Sequence, residues 1–236
     1  MYLGVDEAGK GPVLGPMVAA AVLADPTDVP ADADDSKRLA PSRRESIDAA
    51  IRGTDAVAVG VGFVEPAEID RPDTDMNTLT VRGQARAVRA ALDRDADVVA
   101  DLDGPVRVVA DAGDTSEARF ARRLGEFVDD ADTAASDADI PAVDVSAAHG
   151  ADADDPVVGA ASVVAKVARD ERMAVIDADY PAYDGLGSGY PSDPTTREFL
   201  RAYVDDHGGV PGCARRSWAT CDDVLAAAEQ SGLDEF

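Results

Sequence analysis

Asp6 and Glu7 stand side by side at the end of a short apolar run, Tyr2–Val5. Successive residues of a strand point to opposite faces, so one acid faces a site and the other needs its own partner. Two further segments offer an acid at the edge of an apolar element: Val108-Val109-Ala110-Asp111, and His149-Gly150-Ala151-Asp152 just before the apolar run from Val157. Hard carboxylate oxygens drawn from separate segments suit Mg²⁺ or Mn²⁺. The competing reading is a set of solvated strand ends, which any single Asp among 37 would satisfy.

A second group surrounds Gly185-Leu-Gly-Ser-Gly-Tyr190-Pro-Ser-Asp-Pro194, where Gly and Pro punctuate a rigid loop around one aromatic. A tyrosine held in this way can stack on a sugar or base and offer a hydroxyl. The bland alternative, a helix-capping turn, accounts for Ser192 and Asp193 ahead of Pro194 but leaves the glycines unused. Basic residues gather at Lys10, Lys37-Arg38, Arg43-Arg44, Lys166 with Arg169, and Arg215-Arg216. All three lysines of the chain fall in or beside these motifs, which suits contacts to phosphate. Gly4, Gly9 and Lys10 imitate a GxxxxGK phosphate loop, but Gly11 stands where Ser or Thr should hold magnesium. Asp6 and Glu7 would also repel a phosphate cradled there. There is no GxSxG elbow and no HExxH pair. Cys213 and Cys221 form no CxxC, and His149 and His207 read as surface or packing residues.

The elements that must carry these residues follow from periodicity. Strands are expected at 1–7, 17–24, 56–64, 106–110 and about 142–145. In 56–64, Val57, Val59, Val61 and Phe63 face one way, and Ala58, Gly60, Gly62 and Val64 form a small-residue face. Helices are expected at 42–52 after Pro41, at 77–93 with Val81, Ala85, Val88 and Leu92 on one stripe, and at 116–128. A buried helix is expected at 157–176, and two more at 194–206 and 218–230. The stretch 129–139 (DDADTAASDAD) reads as an acidic solvated loop.

The chain has 236 residues and a net charge of −25, with 37 Asp against 10 Glu and 3 Lys against 19 Arg. Hydrophobic residues make up 45%, which excludes a wholly disordered acidic chain. No apolar run is long enough to span a membrane, and the N-terminus lacks a secretory pattern. With few cysteines, this points to the cytoplasm. The loss of Lys and the excess of short carboxylates suit a very salty cell interior, where the Debye length is about 3 Å at 1 M. Local Arg and Lys clusters then say more about partners than the net charge does.

In shared order and spacing these segments resemble ribonuclease HII, its archaeal branch above all. The resemblance rests on Asp6-Glu7-Ala8-Gly9-Lys10-Gly11-Pro12, Asp35-Ser36-Lys37-Arg38-Leu39, Ala110-Asp111, Arg119-Phe120 and His149-Gly150-Ala151-Asp152. It continues through Pro156–Val158, Ala160–Ser162, Ala165–Val167, Arg169-Asp170, Gly187–Pro194 and Arg216-Ser217-Trp218. It implies an α/β, ribonuclease H-like fold: a mixed five-stranded sheet flanked by helices, with a helical C-terminal extension. The domains would be 1–180 (catalytic), 181–229 (extension) and 230–236 (tail). It implies a metal-dependent endonuclease that hydrolyses RNA in RNA–DNA hybrids. The same enzyme would nick duplex DNA 5′ of a single embedded ribonucleotide, leaving a 3′-hydroxyl and a 5′-phosphate.

The resemblance assigns Asp6, Glu7, Asp111 and Asp152 as catalytic residues and ligands of Mn²⁺ or Mg²⁺. Gly9, Lys10, Gly11 and Tyr190 would recognise the ribose, with Ser36, Lys37, Lys166 and Arg169 as further substrate contacts. The 2′-hydroxyl is what separates RNA from DNA at one position. Two positions depart from the family pattern: the usual arginine of the glycine turn is Lys10, and the lysine that often precedes the fourth acid is Gly150. The second departure places a phosphate contact in question. The chain is expected to be a monomer without membrane association. Gln230, Leu233 and Phe236 resemble the QxxLxxF peptide that docks on the replication sliding clamp. The alternatives are a non-enzymatic acidic cation-binding protein and a phosphate-loop nucleotide hydrolase.

Overall fold

Two apolar runs within the first 24 residues, the second buried along its whole length, form two strands, and the fold grows from that pair. In a computed structural model the described residues are 1–31, 33, 39–93, 97–100, 102–130 and 140–234. The elements run β1 (Tyr2–Ala8), β2 (Met17–Ala24), α1 (Pro41–Arg52), β3 (Ala58–Val64), α2 (Pro66–Ile69), α3 (Met76–Ala91) and α4 (Asp97–Ala100). They continue with β4 (Val106–Asp111), α5 (Glu117–Asp129), β5 (Val143–Ala148), α6 (Ala151–Asp154), α7 (Pro156–Ala178), α8 (Pro194–His207) and α9 (Ala219–Asp234). The longer elements match the sequence expectations to within a few residues. The single-turn helices α2, α4 and α6 are too short to leave a periodic signal. Strand β5 extends three residues beyond its expected end, to Ala148.

The chain divides into two compact units. The first comprises residues 1–8, 17–63 and 76–169. Its sheet has the order β3-β2-β1-β4-β5, with β1 antiparallel to β2 and parallel to β4, and β4 parallel to β5. Leu3, Val5, Val108 and Ala110 pack with α3 and α5 on one face, through Val81, Val88, Phe120 and Leu124. Ala20 and Val22 pack on the other face with Ile47 and Ile51 of α1 and Val157, Ala161 and Val164 of α7. Asp155 ties that second layer together: it accepts the Tyr2 hydroxyl at 2.7 Å and the amides of Val157 and Val158 at 2.9 and 3.1 Å.

Small residues let helices approach the sheet closely. A Cβ at Gly4 would collide with the Val157 carbonyl carbon, and one at Gly60 would collide with the Ala87 oxygen. The small-residue face read from 56–64 is thus the seat of α3. Gly60→Ala is expected to cost about 3 kcal/mol, because the obstructing atoms are backbone and cannot rotate away. Denaturant unfolding in concentrated KCl measures this; a cost below about 1 kcal/mol would contradict the packing described.

The second unit comprises residues 9–16, 64–75 and 170–236. It is not one continuous C-terminal segment, because Val13 and Leu14 are buried with Met173, Leu186, Phe199, Leu200 and Cys213. Tyr180, Tyr183, Phe199 and Tyr203 add edge-on and tilted ring contacts, with centroids 5.2–6.0 Å apart. Asp70 fastens the 64–75 segment by accepting from the amides of Arg216 and Ser217 at 2.8 and 2.9 Å.

Candidate active site

Parallel pairing of β1 and β4 sets the first two carboxylates. Val5 pairs with Ala110, so Asp6 and Asp111 each follow the last paired residue at the same end of the sheet. Asp6 shares the α7 face of β1 and is only 4% exposed. Its neighbours there are Ser162 and Lys166 of α7, whose ammonium donates to the Ser162 hydroxyl. Glu7, at the strand end, lies toward α3, where Gln84 donates to its Oε2 at 2.8 Å, and its charge still bears directly on Asp6. The same Gln84 amide donates to the Asp111 carbonyl at 3.2 Å. The separate partner required of the second acid is therefore Gln84.

The fourth acid arrives through β5 and the turn after it. Gly150 adopts a left-handed φ of 69° and starts α6. The Ala151 amide donates to Asp111 Oδ1 at 2.9 Å, and the next residue is Asp152, 4% exposed. Glu117 of α5 holds this turn from outside, accepting from the His149 amide at 2.9 Å and contacting its ring at 3.0 Å. The other His149 ring nitrogen meets the Asp114 carbonyl at 2.7 Å. Asp114 is itself gripped by Arg119, which holds its carboxyl well below the usual range. His149 is thus a packing residue of the turn. A Cβ at Gly150 would meet no atom within 4 Å, so the absence of a lysine there disturbs no packing.

The electrostatics of this corner favour a cation. Burial, and then the Glu7 charge, push the Asp6 carboxyl up to about 8, while Lys166 pulls more weakly the other way. Among the described residues, no three acids, histidines or cysteines form a ready-made cage. The fit to a divalent ion lies in the donor chemistry: hard carboxylate oxygens around a buried acid whose ionised form lacks full compensation.

The second unit presents a different constellation. Gly9 takes a φ of +82° at the start of the Gly9-Lys10-Gly11 turn. Tyr190 is 42% exposed, and its ring carbon Cε1 lies 3.7 Å from where a Gly11 Cβ would stand. The loop glycines are used: Gly185, Gly187 and Gly189 all have positive φ. Asp193 accepts from the Ser188 amide at 2.6 Å and hydroxyl at 2.7 Å. Thr196 accepts from the Gly189 amide at 2.9 Å. The Gly189 carbonyl in turn receives the amides of Val13 and Leu14 at 2.8 and 3.2 Å, joining the tyrosine loop to the glycine turn.

Of the remaining expected residues, Lys166 lies by Asp6. Arg169 is buried and offers little surface to phosphate. Ser36, Lys37 and Phe236 lie outside the described residues, as does the Leu233 side chain; Gln230 is exposed. Helix α9 runs on through Asp234, past its expected end at 230, because one glycine (Gly232) costs only about 1 kcal/mol in a helix of good formers. Gln84 was not singled out from the sequence. Its signal was a lone amide on the apolar stripe of Val81, Ala85 and Val88. The phosphate-loop reading fails because Gly4 lies inside β1, where extended backbone cannot curl around a phosphate.

The family model for ribonuclease HII matches residues 3–221. A curated ribonuclease HII from Haloarcula marismortui is 54% identical over 236 residues, covering 100% of both chains. Among solved structures, the ribonuclease H2 from Pyrococcus horikoshii OT3 superposes with a TM-score of 0.75 at 30% identity, covering 97% of this chain and 98% of that one. The ribonuclease HII of the PCNA:RNase HII complex from Archaeoglobus fulgidus gives a TM-score of 0.74 at 30% identity, with 100% of each chain covered.

Proposed function

The chain belongs to the ribonuclease HII family, and on that premise we propose that Asp6, Glu7, Asp111 and Asp152 hold the divalent metal and carry its chemistry. The fold is ribonuclease H-like. The activity is endonucleolytic: cleavage of RNA in RNA–DNA hybrids and at ribonucleotides in DNA. The observation that carries the site assignment is the parallel β1–β4 pairing that sets Asp6 beside Asp111, with Asp152 delivered by the turn docked on Asp111.

Held by these four carboxylates, Mn²⁺ or Mg²⁺ would supply the positive charge that hydrolysis of an anionic diester requires. Glu7 is oriented by Gln84, and Asp111 is oriented by the Ala151 amide. Lys166 tempers the negative charge around Asp6. Water attacks the phosphorus, the P–O3′ bond breaks, and a 3′-hydroxyl and a 5′-phosphate result. In the second unit, the Gly9-Lys10-Gly11 amides address the ribose 2′-oxygen and Tyr190 stacks on the sugar. Titration of Mn²⁺ into the wild type and Asp152→Asn tests the ligand set calorimetrically. A weakening of about tenfold or more is expected for the variant; equal affinities would remove Asp152 from it.

The C-terminus supports a clamp partner. The Archaeoglobus fulgidus relative was solved with PCNA, and Gln230-x-x-Leu233-x-x-Phe236 would present a polar anchor and an apolar plug. Truncation after Glu229 is expected to abolish calorimetric binding to the source organism's clamp in high salt. Equal binding by the truncated and intact chains would reject the assignment.

A further inference from the structure

Among the described residues, Arg215 is the largest side chain with no exposed surface, and it is charged. Its main chain is pinned first. Leu14 bridges Ala214 in antiparallel fashion, the Gly15 amide donates to the Cys213 carbonyl at 2.8 Å, and the Arg215 amide donates to the Val13 carbonyl at 2.8 Å. From that anchor the guanidinium reaches back along the glycine turn. Nη2 donates to the Gly9 carbonyl at 2.6 Å, Nη1 to the Lys10 carbonyl at 3.0 Å and Nε to the Gly15 carbonyl at 3.0 Å. Trp218 backs the guanidinium, with its ring centroid 5.1 Å away, and its indole N–H donates to the Gly11 carbonyl at 3.3 Å. Three successive carbonyls of the turn therefore face the Arg215–Trp218 segment.

A trans peptide is planar, with its C=O and N–H antiparallel. Turning the Gly9 and Lys10 carbonyls toward Arg215 therefore turns the amides of Lys10 and Gly11 the opposite way. Two successive amides aimed to one side form an anion- and oxygen-binding concavity. The nearby guanidinium charge also strengthens their donor character.

We propose that Arg215 is a positioning residue for sugar discrimination: its guanidinium fixes the Gly9-Lys10-Gly11 peptides so that the Lys10 and Gly11 amides meet the ribose 2′-oxygen and the adjoining phosphate. The inference rests on the reading of that turn as the ribose-recognising element. It also explains how Lys10 can replace the family's usual arginine. The turn's geometry is set by Arg215 from within, so recognition by the backbone survives the change of the outward side chain.

The test compares binding of two duplexes, one all-DNA and one with a single ribonucleotide. Fluorescence anisotropy is read without divalent metal, at the lowest KCl concentration that keeps the protein folded. The quantity of interest is the ratio of the two dissociation constants, for wild type, Arg215→Lys and Trp218→Phe. Lysine keeps the charge but cannot span three carbonyls with a planar fork. Arg215→Lys is expected to lower the preference for the ribonucleotide duplex about tenfold, with a smaller loss of affinity for the all-DNA duplex through the shared phosphate contact. Trp218→Phe, which keeps the ring and loses one donor, is expected to fall between. A folded Arg215→Lys protein with the wild-type ratio would overturn the proposal. If that variant does not fold, a wild-type ratio in Trp218→Phe would overturn it instead. A wild-type protein with no preference for the ribonucleotide would remove the reading of the turn and the proposal together.

Discussion

Asp6→Asn is expected to lower cleavage about a thousandfold or more while the protein still folds. Asn keeps the size of the side chain, so the packing between β1 and α7 is retained, but it removes the charge that draws a cation into the corner. The change has opposite signs in activity and in metal-free stability. The folded Asp6 carboxyl titrates at about 8, above its ordinary 3.8, because burial and Glu7 disfavour the ionised form. A raised carboxyl contributes stability that is complete below pH about 4 and is lost as pH rises through about 8. The wild type in chelator should therefore melt at lower temperature at pH 8 than at pH 5, and Asp6→Asn should lose less over that interval. Bound metal should remove the wild-type loss. Thermal melts with and without Mn²⁺ check all three; a variant that loses both fold and activity would contradict the separation.

Folding is expected to require salt. The net charge of −25 is unscreened in dilute buffer. Raising KCl from about 0.1 M to about 3 M shortens the Debye length from about 10 Å to under about 3 Å. The opposing effect is small. Exposed pairs such as Arg71–Asp73 and Arg122–Glu126 weaken with salt, but each contributes at most about 1 kcal/mol. Repulsion among the excess carboxylates should therefore dominate, and the melting temperature should climb across a KCl series. A melting temperature that is flat or falls with KCl would contradict the salt reading of the composition, which the 54% identity to the Haloarcula marismortui protein otherwise supports.

Much of the geometry of the proposed metal corner was legible because strands encode their faces in alternate residues. Leu3, Val5 and Glu7 share one face of β1, and Gly4 and Asp6 share the other, so the division of the two acids between α3 and α7 follows from parity. Apolar runs ending in acids marked Asp111, and the helical run from Val157 located the segment carrying Asp152. What the sequence left hidden depends on contacts between distant segments. Nothing local says that residues 9–16 and 64–75 belong with the C-terminal helices; that grouping comes from Val13 and Leu14 burying against Leu186 and Phe199, and from Asp70 receiving the Arg216 and Ser217 amides. By sequence Arg215 is half of a basic pair suited to phosphate, whereas it is the buried clasp of the glycine turn and Arg216 is the exposed neighbour. Arg169 had the same basic signature and is also buried. A charge in the sequence does not say whether its partner is phosphate or backbone carbonyl.

The most direct measurement is cleavage of a DNA duplex carrying one ribonucleotide, in molar KCl with Mn²⁺ or Mg²⁺, by the wild type and by Asp111→Asn. The wild type is expected to make a single nick 5′ of the ribonucleotide, with a 3′-hydroxyl and a 5′-phosphate at the break, and a folded Asp111→Asn protein to lose nearly all of that activity. No nick under any of these conditions, or undiminished nicking by Asp111→Asn, would contradict the proposed function.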